Sequence, residues 1–361
     1  MRVAVIHDYF RVMGGAERVA IEIARTFDAP VFTLYRNVGV EDVEFQEIAH
    51  SFKRFLLQKV PSSHTYFGPD IFEDLVLEDY DVVISSGNWS KFIVPSGRQL
   101  HVHYCHTPPR MLYDLYGETL NRLGFLRWAF ARWARKMRVR DYVAAQRIDS
   151  IVANSKNVAR RIEKYWGRKA ERVIYPPVDV EFFARARPWE EEGYFFTVSR
   201  LFPEKRVDVL VEVFRRLPDK KLIVAGTGPM LERLRKTSPP NVEFVGWVDD
   251  ETKARLYKSA EAVVYIPRDE DFGLVPVEAQ AAGTPVIGVR EGGLVESVID
   301  GKTGVLLDAG SRLELVEKLT EVIDNFKKSD FQNEELLINA RRFDLKTFRN
   351  AIRGVVNGVE S

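Results

Sequence analysis

The segment from Pro267 to Val286 carries two carboxylates, Glu270 and Glu278, on either side of the run Phe272-Gly273-Leu274. A strand ending near Ile266 passes into a loop that holds Glu270, and a helix begins at Gly273 or Leu274, which sets Glu278 about one turn inside it. A glycine at a helix start lets a ligand come close to the backbone, and the amides of a first turn attract phosphate. Carboxylates accept hydrogen bonds from hydroxyl groups, so two of them flanking a phosphate site suit a ribose or a sugar. On residue types alone, a solvated acidic loop beside an amphipathic helix is the competing reading. A second group, Ser199-Arg200 to Lys205-Arg206, also follows a strand. Arg200 offers a planar fork and Lys205 a point charge, the two cationic partners of a diphosphate. Such a pair neutralises the charge that develops when a nucleoside diphosphate departs. Taken alone, it reads equally as the charged loop between a strand and a helix.

Gly14 and Gly15 lie between the first strand and the first helix, where paired glycines let backbone amides approach an anion. Their spacing is not that of a dinucleotide fingerprint. Gly226-Thr-Gly228 also follows a strand without a third glycine, so a nicotinamide site has little support. His101, His103 and His106 form another cluster. The first two share a strand face, as metal ligands can, but no carboxylate at ligand spacing accompanies them, and no metal is expected. His106, just past the strand, is placed to hydrogen-bond a substrate hydroxyl. Between Asn121 and Arg147, the residues Leu123, Leu126, Phe130, Trp133 and Met137 recur at helical spacing. Arg122, Arg127, Arg132, Arg135, Lys136, Arg138 and Arg140 surround them before the first acid, Asp141. This is the pattern of a helix lying on an anionic membrane surface, through Asn121–Arg140. A core-packed helix with a solvated basic face fits the same pattern.

These residues need a scaffold, and 361 residues are too many for one compact core, so two domains are expected. Hydrophobic residues at 45% and charged residues at 29% are those of an ordinary globular chain. With 53 basic against 52 acidic residues, a dedicated nucleic-acid binder is not expected. Cys105 stands alone, which excludes a disulfide framework and a cysteine zinc site. The apolar runs are of strand length, and the strand-like start from Arg2 to His7 leaves no room for a signal peptide. The expectation is a cytoplasmic protein, peripheral on the membrane face if the basic helix is exposed.

Short β-branched runs alternate with amphipathic stretches, the mark of parallel α/β architecture. Strands are expected at Val3–His7, Val31–Leu34, Val82–Ser85, Val102–Cys105, Ile151–Asn154 and Val173–Tyr175. Tyr175 to Asp179 and the charged run from Arg185 to Gly193 read as a linker, because paired prolines stop helix and sheet alike. A second series follows at Phe195–Ser199, Leu222–Ala225, Val242–Val245, Ala262–Ile266, Val286–Val289 and Val305–Leu307. Helical patterns separate these strands, as in Arg206–Leu217 and Pro229–Lys236. The domains are accordingly set at 1–185 and 186–344, with a final helix in 345–361 returning to the first.

Together these pieces resemble a retaining glycosyltransferase of the GT-B fold, in family 4 (glycosyl transferases group 1). The resemblance runs through Gly14-Gly15-Ala-Glu-Arg18, Ala153-Asn-Ser155, Tyr175-Pro-Pro-Val-Asp179, Ser199-Arg200 to Lys205-Arg206, Gly226-Thr-Gly-Pro229 and the pair Glu270 and Glu278. It is similar, more loosely, to the GDP-mannose-dependent mannosyltransferases of surface-polysaccharide and lipid-linked oligosaccharide assembly. The resemblance implies two Rossmann-like domains whose parallel sheets face across a cleft, the second holding the nucleotide-sugar donor and the first the acceptor. It implies that Arg200 and Lys205 bind the donor diphosphate, Glu278 the ribose and Glu270 the transferred sugar. The amides of Phe272, Gly273 and Leu274 would hold sugar and phosphate. Gly14 and Gly15 would face the diphosphate, and His106 would lie near sugar or acceptor. The catalytic candidates are thus Glu270, Lys205, Arg200 and His106. The resemblance implies front-face attack with retention and no obligatory metal or other cofactor. Asp269-Glu270-Asp271 looks like a metal-binding triplet of another transferase architecture, but it sits inside a different motif. Partners would be a nucleotide-sugar donor and a glycan or lipid-linked acceptor, with UDP-glucose as the alternative donor. A non-catalytic nucleotide-sugar-binding protein is the reading from a different class.

Overall fold

Residues 1–49, 51–60, 63–189 and 193–358 are described by the structure, a computed structural model. The chain forms two units, Met1–Pro176 with Phe348–Ser361, and Pro177–Thr347. The first unit runs β1 (Val3–His7), α1 (Gly15–Phe27), β2 (Val31–Thr33), β3 (Phe45–Glu47), α2 (Ser51–Lys59), α3 (Ser63–Glu73), β4 (Val82–Ser86), β5 (Leu100–Cys105), α4 (Tyr116–Arg122), α5 (Arg127–Gln146), β6 (Ser150–Ala153), α6 (Lys156–Trp166) and β7 (Arg172–Val173). The second contains α7 (Val180–Ala184), β8 (Phe195–Val198), α8 (Val207–Arg216), β9 (Leu222–Ala225), α9 (Leu231–Thr237), β10 (Val242–Gly246), α10 (Asp250–Ser259), β11 (Ala262–Tyr265), α11 (Leu274–Ala281), β12 (Val286–Val289), α12 (Leu294–Ser297), β13 (Gly304–Leu307), α13 (Arg312–Asn325) and α14 (Asn333–Arg341). A last helix, α15 (Leu345–Gly358), carries the chain back into the first unit.

Both sheets are parallel, ordered β3-β2-β1-β4-β5-β6-β7 and β10-β9-β8-β11-β12-β13. Each therefore starts in the middle, builds outward in one direction, then returns to build in the other, which is the Rossmann-like order. Strands β1 and β4 are buried along their whole length because helices cover both faces of the sheet. On one face Val5, Ile21, Ile23 and Ile84 pack with Phe348, Ile352 and Val355 of α15. On the other, Ile6 and Val83 pack with Phe92, Phe130 and Met137. Arg353 of α15 donates to the Thr26 carbonyl at 3.2 Å, so the returning helix is fixed by polar as well as apolar contacts.

Three expectations need adjustment. The division falls between Pro176 and Pro177 rather than after Arg185, because α7 buries Val180 and Phe183 in the second unit. There Val178 N–H donates to the Phe343 carbonyl at 2.8 Å. Strand β3 was not expected; its three residues, two half-buried and one exposed, lie at a sheet edge and are too few to show a pattern. The stretch from Asn121 to Arg147 is not one helix. Gly124 takes φ +53° and a short 3-10 turn, Gly124–Leu126, breaks it into α4 and α5. Phe130 and Met137 are buried and Leu123 and Trp133 pack beside them, whereas Leu126 is exposed. The helical stripe is thus core, as the competing reading held. At the other end of α5, the Asp141 carboxylate pairs with Lys91 at 2.7 Å, both side chains fully buried. Tyr113 and Trp166 also donate to it, at 2.8 and 2.7 Å. A buried charge needs such partners.

Candidate functional site

In an open parallel sheet, ligands bind at the strands' carboxyl ends where the strand order reverses, since the loops there leave in opposite directions and open a crevice. In the second sheet that point lies between β8 and β11. The loop after β8 carries Arg200 and Lys205, and the loop after β11 carries Glu270. The Lys205 ammonium and the Glu270 carboxylate meet at 2.5 Å, with side chains 14% and 19% exposed. Burial works against the lysine charge, but Tyr265 and Glu270 outweigh it, and the Lys205 pKa stands above the ordinary lysine value. The ammonium also lies over the Tyr265 ring, 5.8 Å from its centre. Arg200 is exposed, with its guanidinium over Phe202 at 5.9 Å, and its charge is felt at Lys205. The crevice therefore holds a fixed, protonated lysine beside an outward arginine.

Close backbone packing holds these loops. The Arg268 amide donates to the Glu204 carbonyl at 2.8 Å, joining the two loops directly. A Cβ on Gly226 would lie 1.9 Å from the Ser199 carbonyl oxygen, and one on Gly228 would lie 2.6 Å from that of Leu201. This accounts for Gly226-Thr-Gly228: the glycines let the loop after β9 pack against the loop bearing Arg200. From β12, Glu291-Gly292-Gly293 supports the other side. A Cβ on Gly292 would lie 2.3 Å from the Glu270 carbonyl oxygen, and Gly293 N–H donates to that oxygen at 2.8 Å. Glu291 pairs with Arg206 at 3.1 Å, holding Arg206 at φ +54° where α8 begins. Sequence reasoning passed over Glu291, Gly292 and Gly293; their signal was a glycine pair directly after a strand.

Helix α11 begins after Gly273 (φ +86°), which supplies no side chain to cap the first-turn amides of Leu274 onward. Phe272 is buried against Phe343, ring centres 5.3 Å apart, and so serves as a wedge under the loop. Glu278 sits inside α11, 7% exposed. Lys253 donates to one of its oxygens at 3.0 Å and the Tyr257 hydroxyl to the other at 2.8 Å, both from α10. Burial and the Glu278 charge push the Tyr257 pKa well up, so its proton stays on the tyrosine. Each carboxylate oxygen keeps a second lone pair with which to accept from a ligand hydroxyl. Neither Lys253 nor Tyr257 was singled out from sequence, because helix positions carry no sign of the neighbour they will face.

Gly14, Gly15 and His106 belong to the first unit. Gly14 caps α1, and its amide donates to Glu17 at 3.1 Å, so an anion approaching this terminus meets the Glu17 carboxylate first. The matching reversal in the first sheet, between β1 and β4, carries an anion of the chain's own. Asp8 accepts from the amides of Asn88, Trp89 and Ser90 at 2.8, 2.9 and 2.7 Å. His106 hydrogen-bonds Ser86 Oγ through Nε2 at 2.9 Å, and burial, with His7 adding to it, holds its pKa down to about 3. It is a neutral imidazole at physiological pH. His101 and His103 both reach Ser85 Oγ, at 2.8 and 2.9 Å, inside the sheet. Both imidazoles are thus tied to one buried hydroxyl. Among the described residues, no three His, Cys, Asp or Glu side chains are grouped to hold a metal ion, and no helix is long and apolar enough to cross a membrane.

Comparison with known proteins bears on this geometry. The family described as Glycosyltransferase Family 4 matches residues 13–182, and Glycosyl transferases group 1 matches 179–335. A D-inositol 3-phosphate glycosyltransferase of Mycolicibacterium smegmatis is 30% identical over 199 residues, covering 49% of this chain and 45% of that protein. The alpha-1,3/1,6-mannosyltransferase alg-2 of Neurospora crassa is 24% identical over 283 residues, covering 63% of this chain and 58% of that one. The chain spans about half the length of the curated relatives it matches. Among solved structures, Anabaena Alr3699/HepE in complex with UDP-glucose superposes with a TM-score of 0.74 at 19% identity, covering 99% of this chain and 100% of that one. Matched in tandem by two glycosyltransferase families and built on two Rossmann-like sheets, the chain has the GT-B fold of glycosyltransferase group 1 and family 4.

Proposed function

We propose that the chain is a retaining hexosyltransferase that moves a hexose from a nucleotide sugar to a hydroxyl of a glycan or lipid-linked acceptor. The observation that carries this is the Lys205–Glu270 pair at the switch point of the second sheet, with Arg200 in the same loop as Lys205. In this reading Lys205 and Arg200 neutralise the departing diphosphate, and the first-turn amides of α11 add to them. Glu278 holds the ribose hydroxyls, and Glu270 turns from Lys205 to the sugar once a diphosphate takes the lysine. The cations supply the positive charge, so the reaction needs no metal. With no separate carboxylate nucleophile assigned, the leaving phosphate oxygen accepts the acceptor's proton on the same face of the sugar.

GDP-mannose is the donor this reading favours, supported by the sequence resemblance and by the likeness to alg-2. UDP-glucose is the second reading, supported by the likeness to a protein solved with UDP-glucose. Thermal-shift and calorimetric titration with GDP, UDP, ADP, GDP-mannose, UDP-glucose and NAD decides between them. A ligand at a hundredfold excess over its dissociation constant stabilises the folded chain by about 2.7 kcal/mol. Shifts with GDP and GDP-mannose support the first donor, and shifts with the uridine pair support the second. Silence from every sugar nucleotide would remove the donor site. Binding without any donor turnover, with or without acceptor glycans, would favour a non-catalytic binding protein.

A further inference from the structure

We propose that Glu291 is a positioning residue for the transfer, a carboxylate clamp that sets the backbone on both sides of the Lys205–Glu270 pair. Among the described residues, Asp28, Arg206 and Asp269 alone combine a side chain with a positive φ. Asp28 is the left-handed residue that ends α1. Arg206 and Asp269, at +54° and +48°, directly follow Lys205 and directly precede Glu270. One side chain holds both. Glu291 Oε2 accepts from Arg206 Nη1 at 3.1 Å and from the Asp269 amide at 3.4 Å, and Oε1 accepts from Arg206 Nη2 at 3.5 Å. All of these residues lie in the second unit.

The left-handed region is disfavoured about tenfold or more for a residue with a side chain, and it persists where the surroundings over-determine it. Arg206 is the joint between the short 3-10 turn Pro203–Lys205 and α8. In the right-handed region it would let that turn run on into the helix, and the Lys205 side chain would leave in another direction. Asp269 is the corresponding joint in the loop after β11, one residue before Glu270. The clamp has a firm base. The Glu291 amide donates to the Val289 carbonyl at the end of β12, and the Gly293 amide donates to the Glu270 carbonyl, both at 2.8 Å. Neutralising Arg206 would need neither the two-pronged contact nor the Asp269 amide, whereas holding two left-handed joints needs both. The clamp acts only through its neighbours, so its role in turnover rests on the reading of Lys205 as the partner of the departing diphosphate. Pre-set charges act at full strength only in register, and a displacement of about 1 Å costs about 10²-fold in rate.

The test follows release of nucleoside diphosphate from GDP-mannose and UDP-glucose, calorimetric affinity for GDP and UDP, and melting of the full chain. Glu291→Ala should lower turnover about 10- to 100-fold and weaken diphosphate binding with it. A second substitution then separates geometry from charge. Glycine takes a positive φ at no steric cost, so Glu291→Ala/Arg206→Gly should return to within about threefold of wild type. The Glu270 loop keeps its backbone ties in that variant. Alanine removes the same charge but resists the left-handed region, so Glu291→Ala/Arg206→Ala should stay as slow as Glu291→Ala. If melting shows that Glu291→Ala does not fold, the same two Arg206 substitutions are compared on Glu291→Gln. Equal rescue by glycine and alanine would make Glu291 a counter-charge and overturn the clamp. Rescue by neither would overturn it too, as a general loss of stability. Lys205→Ala tells the two readings apart. A slow Lys205→Ala beside a Glu291→Ala at wild-type rate removes the clamp alone. A Lys205→Ala at wild-type rate, or a wild type that neither binds GDP or UDP nor turns over a donor, removes the leaving-group role and the clamp with it.

Discussion

Replacing Lys205 by methionine removes the charge and keeps most of the side chain's length, leaving Glu270 facing an apolar group at the switch point. At 2.5 Å and an effective dielectric of about 20, the lost attraction is about 7 kcal/mol before desolvation. Desolvation of two largely buried charges cancels part of that, and breaking such a pair from one side leaves a net loss of about 3 kcal/mol. The melting temperature of the second unit should then fall by about 6–12 °C. Adding Glu270→Gln removes the stranded carboxylate, so the double variant should regain at least half of that loss. Turnover should behave differently. If Lys205 stabilises the departing diphosphate, Lys205→Met lowers the rate by about 10²-fold or more, and the double variant stays as slow or slower. Calorimetric melting and release of nucleoside diphosphate, from whichever donor stabilises the chain, measure the two effects on the same proteins. Near-normal turnover in Lys205→Met would refute the leaving-group role. Recovery of turnover together with stability in the double variant would reduce Lys205 to a structural partner of Glu270.

The buried histidines predict an acid-sensitive first unit. His101 is fully buried and its pKa is held down to about 3, by burial and then by Arg147. Between its free value of about 6.5 and that folded value, the unfolded chain binds the extra proton, so stability is constant above the window and falls as pH drops through it. Going from pH 7 to 5 should cost about 2 kcal/mol at His101 alone, with His103 and His106 acting in the same direction. Hydrogen exchange of β1, β4 and β5 would follow the loss, and an imidazole of His101 titrating near its free value would contradict it. Separately, Gly226→Ala drives a methyl group into the Ser199 carbonyl and should cost more than about 2 kcal/mol while weakening nucleotide binding. Gly301→Ala also has a positive φ, but nothing lies within 4 Å of the added carbon, so it should cost only about 1 kcal/mol and leave binding unchanged.

Much of this was present in the order of residue types. Alternating β-branched runs and amphipathic stretches located nearly every strand, because a strand buried on both faces must be apolar wherever it occurs. The positions of Arg200, Lys205, Glu270 and Gly273 after strands, and of Glu278 inside the following helix, were legible because apolar strand runs end where glycines and charges begin. Spacing also found the apolar stripe of α5. It could not say that Phe130 and Met137 face the core while Phe125 and Trp128 face solvent, since a helical repeat names a face and not its neighbour. Side-chain partners over long separations were decided only in the folded units. Examples are Lys205 with Glu270, Lys253 and Tyr257 with Glu278, and Asp8 with the amides after β4. The same holds for Gly226 and Gly292, whose missing side chains matter only because another backbone lies within van der Waals reach. Local sequence sets conformational preference and polarity, which act over a few residues. Distances between groups tens of residues apart follow from strand order and helix packing, and these exist only once the whole sheet has formed.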